Sequence, residues 1–351
     1  MKNISLFFAL LVLVSCSKQE QTFLGPVDLS SPVLKTLHDS HLMQRLKGID
    51  QSGSPYYYCN GPKFSRFDHS MGVLYLVQHY GGSEIEQAAA LTHDASHTVF
   101  SHVSDVLFDK EGYQDSIHES SLKAVGVDDL LKPYGITIHQ ISPDQEHFKR
   151  LEQPLPDMCA DRIEYNLHTA FNFGLLSKEE ITYILNHLFF DNDKWYFDDA
   201  KAAELFARQS LTLTEYVWAA PNNVYVYHLT AKMLKHALDI NLINQQMLHF
   251  GKDQDIVNII NQSNDPEIVF YKNQIQSIDL SNASPSSNKV NVRNKQADKK
   301  LIKPKFRGID PLVLKGNSYL RLSEIDENYK KSYHNLKKKL QKGFWIDLPQ
   351  F

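Results

Sequence analysis

Apolar residues recur at three- and four-residue spacing through most of the first 240 positions, the period of helices that bury one face. This pattern predicts a short helix over residues 34–46, carrying His38, His41 and Arg45, and an apolar helix over 67–80 that stops at Gly81-Gly82. An alanine-rich helix over 84–91 is expected to run on through His93, and residues 101–108 to form the next turns. Short helices follow at 116–125 and 128–131, then longer ones at 157–171, 200–217 and 224–239. Residues 48–63, rich in Gly, Pro and Tyr, read as loop. Three stretches break the helical period. Two aromatic runs around Asp191-Asn192-Asp193 read as a hairpin over 188–197, and 289–306 and 311–322 alternate as strands do. Residues 274–288, rich in Ser and Asn, read as a mobile loop. The expected fold is therefore mainly α: a helical core over 31–240 with a small α+β C-terminal lobe over 241–351.

Three polar clusters interrupt these apolar helices. His93 and Asp94 are adjacent, and His97 lies one helical turn beyond His93, on the same face if the helix continues. Arg66 and His69 fall at the start of the 67–80 helix, and Asp161 and Tyr165 near the start of the 157–171 helix. Two imidazoles (His69, His93) and two carboxylates (Asp94, Asp161) make a mixed nitrogen and oxygen donor set, which suits a borderline or hard divalent transition metal better than a soft one.

The three clusters resemble, in order and spacing, the R-F-x-H-S-x-G-V, H-D-x-x-H-x-x-F-S-H and D-R-x-x-Y elements of the HD-domain metal-dependent phosphohydrolases. The likeness is closer to their deoxynucleotide triphosphohydrolase-like branch and covers about residues 34–239. It implies an HD-domain helical core holding one divalent transition metal ion (Mn, Fe, Co, Ni or Zn) on His69, His93, Asp94 and Asp161. It further implies Arg66 and Tyr165 as substrate-binding residues and His97 and His118 as the acid/base pair; His102, on a different part of the turn after Phe100-Ser101, is expected to be structural, bonded to a backbone carbonyl. The reaction implied is hydrolysis of a phosphoester or phosphoanhydride in a small phosphorylated substrate, a nucleotide above all, with a deoxynucleoside triphosphate as the branch's own substrate. Two positions depart from that branch. Asn166 to Thr169 stands where an Arg-Asp pair grips the sugar, and Ala219 to His228 lacks the arginines that meet a triphosphate. Both departures predict a weak hold on triphosphates. A non-catalytic HD scaffold binding a nucleotide or polyanion, and an exported phosphodiesterase or nuclease, are the alternative readings.

The N-terminus reads as a targeting segment. Lys2 precedes an apolar run over 4–14 with the length of a signal-peptide core, too short to span a bilayer comfortably. Leu13-Val14-Ser15-Cys16 resembles a bacterial lipobox, so residues 1–15 are expected to be removed and Cys16 lipidated, with residues 16–30 as a tether. The expected location is the bacterial cell envelope, lipid-anchored to the membrane on its exported side. Cys59 and Cys159 then read as two separate buried thiols, a disulfide between them being the alternative. With 37 Lys+Arg against 41 Asp+Glu, the overall charge gives no sign of nucleic-acid binding. Basic residues do gather late, from Lys289 to Arg307 and again from Lys330 to Lys342. They fit a solvated face, or docking to anionic lipid, polymer or nucleic acid. The sequence leaves the oligomeric state open.

Overall fold

The computed structural model describes residues 19–143, 146–283 and 297–351. Cys16, with the signal segment and the start of the tether, lies outside them, as do residues 284–288 of the stretch read as a mobile loop. The fold is mainly α with small sheets. Helix Arg66–His79 is its axis, packed against helix Glu84–Thr92 on one side and helix Ala160–Asn172 on the other. Its start is fixed by a capping box: Asp68 N–H donates to Ser65 Oγ (3.0 Å), and the Asp68 carboxylate accepts from Ser65 N–H (3.4 Å). Its end is a left-handed Gly81 (φ 74°), after which Gly82 N–H returns to the Val77 carbonyl at 2.8 Å. Ser83 caps the next helix, with Glu84 and Glu86 in the favourable first turn.

The expected 34–46 helix is two short ones, Pro32–Asp39 and His41–Arg45, because Ser40 is extended and caps the second. The 48–63 loop contains a short helix, Ser54–Tyr58. The hairpin is formed by Leu188–Asp191 and Lys194–Phe197 around Asn192 and Asp193, both with positive φ, as a tight two-residue turn demands. Lys194–Phe197 also pairs in parallel with Leu312–Lys315, which pairs antiparallel with Ser318–Arg321. The stretch 311–322 is thus a hairpin turning at Gly316 and not one strand. In 289–306 the described strand is Ala297–Ile302, paired antiparallel with Phe344–Pro349, and the chain leaves the ladder at Lys303. Residues 274–276 close helix Pro266–Gln276 instead of opening a loop. Among the described residues no helix is long and apolar enough to cross a membrane. Cys59 and Cys159 are both buried and free.

Candidate metal centre

The three helices bring their polar clusters to one end of the bundle: the first turn of Arg66–His79, the last of Glu84–Thr92, and the first of Ala160–Asn172. His69 is fully buried, and its Nδ1–H donates to the Glu164 carboxylate, leaving Nε2 to face the centre. His93 donates Nδ1–H to the Ala90 carbonyl at 2.8 Å and likewise turns Nε2 inward. The two Nε2 atoms stand 3.2 Å apart, with Asp161 Oδ1 3.0 Å from one and 3.7 Å from the other. Asp94 closes the ring, Oδ2 lying 3.6 Å from His69 Nε2 and Oδ1 3.7 Å from His93 Nε2.

Two inward ring nitrogens at that separation need a proton or a metal cation between them. Ligand nitrogens about 2.1 Å from one ion, subtending roughly 90–110°, would stand about 3.0–3.4 Å apart. The donor set therefore fits a divalent transition ion. The electrostatics agree. Burial alone would push His69 down, but Glu164 and Asp161 outweigh it and raise its pKa to about 10. Burial likewise opposes ionisation of Asp94 and Asp161, yet Arg66 and His93 hold the first, and His69 and His93 the second, below the usual carboxylate range. The pocket is built for positive charge. A neighbouring group of Glu152, Cys159 and Asp161 also converges. There burial pushes Glu152 up to about 8 and the Cys159 thiol still higher, so both hold protons at neutral pH.

The expected helix through His97 does not form. Helix Glu84–Thr92 ends with His93 as its cap, and residues 94–102 run in tight turns, with Phe100 and Ser101 at positive φ. Tertiary contacts draw off the backbone groups that a helix would pair. The buried Arg45 guanidinium donates to the carbonyls of His97 (2.6 Å) and Ala95 (3.2 Å), and Asp253 accepts from Phe100 N–H (2.7 Å). His97 still meets Asp94, Nε2 to Oδ1 at 3.2 Å, while its Nδ1 has no partner. Burial, reinforced by Arg66, lowers its pKa to about 3. His118 begins helix His118–Ala124; its Nδ1 lies 3.3 Å from Ser96 Oγ, its Nε2 is unpartnered, and burial and His93 lower its pKa to about 4. Both rings are neutral at physiological pH. His102 pairs with the Asp105 carboxylate (3.1 Å), not with a backbone carbonyl.

Arg66 is 3% exposed and fully committed: Nε to Ser101 Oγ (3.1 Å), one amino group to Asp94 Oδ2 (2.7 Å), the other to the Gln51 carbonyl (3.2 Å). Tyr165 is buried edge-on against Trp218, ring centres 5.2 Å apart, at the wall of the cleft. Sequence reasoning missed Glu164, which sits three residues after Asp161 on the same helix face, a spacing that could have found it. It also accepts from His168 Nδ1 at 2.9 Å. Gly72 makes the room: a Cβ there would lie 2.6 Å from the Glu164 carboxylate, so a glycine interrupts a helix it would otherwise weaken by about 1 kcal/mol. The centre opens into a cleft of roughly 1310 Å³ whose walls include Thr169 and Asn223, the positions lacking the branch's charged groups.

No family model matches the chain. It is 32% identical to the metal-dependent phosphohydrolase cns2 of Cordyceps militaris over 248 residues, 68% of this chain and 71% of that protein. The chain belongs to the HD-type metal-dependent phosphohydrolases. It is also 31% identical over 320 residues to the uncharacterized protein YdhJ of Bacillus subtilis, covering 90% of this chain and 94% of YdhJ. A shorter match, 30% over 130 residues, is to the deoxynucleoside triphosphate triphosphohydrolase SAMHD1 of Bos taurus, 30% of this chain and 22% of that protein. A crystal structure of a phosphohydrolase from Bacteroides thetaiotaomicron has the same fold, with a TM-score of 0.68 at 17% identity over 95% of this chain and all of that one.

Proposed function

We propose that this phosphohydrolase cleaves a phosphoester or phosphoanhydride bond of a nucleotide, with a single transition ion held by His69, His93, Asp94 and Asp161. The observation that carries the reading is the pair of inward Nε2 atoms 3.2 Å apart with Asp161 Oδ1 beside them. The ion, when bound, supplies Lewis-acid stabilisation of the charge that develops on the phosphoryl group. The chain's own residues do the rest. Arg66 holds Asp94 in position through its 2.7 Å bond, and Glu164 fixes the His69 tautomer. His97 and His118 each offer one unpartnered ring nitrogen. The negative charge of a bound phosphoryl group opposes the burial that lowers both rings, raising their basicity so that they can take a proton from an attacking water and return one to a leaving oxygen. Tyr165 and Trp218 give the cleft an aromatic wall against which a base or sugar can lie.

A nucleotide is favoured by the motif resemblance and by the match to SAMHD1. We further propose that Cys16 carries a lipid anchor and that the enzyme works at the cell envelope. The test is hydrolysis of an aryl phosphate, a nucleoside monophosphate and a deoxynucleoside triphosphate by protein reconstituted with Mn, Fe, Co, Ni or Zn, alongside His93→Ala. Metal-dependent turnover lost in the variant supports the reading; no turnover of any nucleotide overturns it.

A further inference from the structure

The chain leaving strand Ala297–Ile302 runs across the cleft, and Lys303, Lys305 and Arg307 line it together with His97, Tyr165 and Tyr227. The arm is anchored immediately beyond Arg307. Ser210 Oγ donates to the Arg307 carbonyl (3.3 Å), a Cβ on Gly308 would lie 2.8 Å from Leu211 Cδ2, and Asp310 N–H donates to the Pro156 carbonyl (3.1 Å). Ile309 between them is fully buried, and its carbonyl accepts from the Tyr329 hydroxyl. Lys305 is paired with Glu111 at 3.3 Å.

Arg307 is different. Its side chain is half-buried, yet among the described residues no hydrogen bond or ion pair engages its guanidinium. Every other described arginine is engaged: Arg66, Arg150, Arg208 and Arg321 with carboxylates, Arg45 and Arg162 with backbone carbonyls. Partly buried cations are normally paired, so an anchored, unengaged guanidinium in a substrate cleft points to an anion that arrives with the ligand. Its charge reaches the same wall: burial pushes the Tyr165 and Tyr227 hydroxyls up to about 12 and lowers His102, and Arg307 opposes the first two shifts and adds to the third.

Resting on the nucleotide reading above, we propose that Arg307 binds a second, non-scissile phosphate of the substrate, so that the C-terminal lobe supplies a cation in place of those missing from residues 219–228. The substrate class is then a nucleotide with two or more phosphates. In a comparison of wild type, Arg307→Gln and Arg307→Lys, both variants retain the wild-type metal content. The ratio of the Michaelis constants for a deoxynucleoside triphosphate and an aryl phosphate should rise about tenfold to a hundredfold in Arg307→Gln, the effect of losing one charge-assisted contact, with Arg307→Lys in between. Equal changes for both substrates, or none, overturn the proposal. Equilibrium binding of the same triphosphate to chelator-treated wild type and Arg307→Gln separates this inference from the catalytic reading. Weaker binding by the variant sustains the clamp even if no nucleotide is hydrolysed, whereas equal binding or none by either protein refutes it.

Discussion

Glu164→Gln isolates one charge beneath the metal centre. The carboxylate is fully buried and accepts from His69 on one oxygen and from His168 on the other. Glutamine has the same shape and can still accept from His69 Nδ1–H, so the change removes charge and leaves volume, respecting the tight approach of Gly72. A charge held at His69 Nε2 lies roughly 6 Å from that carboxylate through the ring. At an effective dielectric of about 20 the lost attraction is about 332/(20×6), or about 2.8 kcal/mol. Loss of a partner of this kind ordinarily weakens metal affinity about 10–100-fold, which is about 1.4–2.8 kcal/mol, so the two magnitudes agree. The assay is competition for Mn or Co between the protein and a chromophoric chelator, with thermal melts to show that the variant is folded. A dissociation constant raised tenfold or more is expected. An unchanged constant in a folded variant, in a protein where His69→Ala abolishes binding, would refute the assignment of Glu164 as the group that tunes His69.

Four further outcomes are expected. His97→Ala should lose activity and keep its metal, because the residue contacts Asp94 but is placed as a proton carrier; loss of metal with activity would make it a ligand. Asp253→Ala should cost about 2–5 kcal/mol in chemical denaturation, since it strands the buried N–H groups of Asp50 and Phe100. In the wild type, burial raises Asp253 to about 8 and Asp50 to about 7 against the N–H groups that lower them. The folded protein then keeps on these two carboxyls protons that the unfolded chain has released above about 4, so their contribution to stability should fall from that pH up to about 8 and level off beyond; a wild-type minus Asp253→Ala stability difference that rises over that window would contradict the assignment. Cys16→Ala should release the protein from membranes, and a variant that still sediments with them after a salt wash would remove the lipid-anchor reading.

The residues around the centre were legible in part. The helical period placed Arg66–His79 and Ala160–Asn172 within a few residues of their observed ends, because amphipathic spacing and a Ser or Gly at the boundary are local properties. His69, His93 and Asp161 converge on one point, and Asp94 lies 3.6–3.7 Å from both ring nitrogens. The unbroken helix through His97 was the wrong expectation. Nothing near residue 93 announces that Arg45 and Asp253, distant in the chain, will take the carbonyls and the N–H that a helix would have used.

What the sequence determined by itself is the helical class, the order of the polar clusters and the chemical kind of the donor set, since each is written in neighbouring residues. Tertiary structure decided the rest. It turned Nε2 of both histidines inward through Glu164 and the Ala90 carbonyl, and it committed Arg66 to Asp94 and away from solvent. It held His97 and His118 neutral by burial, and it carried Arg307 from the C-terminal lobe into the cleft. These outcomes depend on which distant segments touch and on how much water each contact excludes, and neither quantity is encoded in a local stretch of chain.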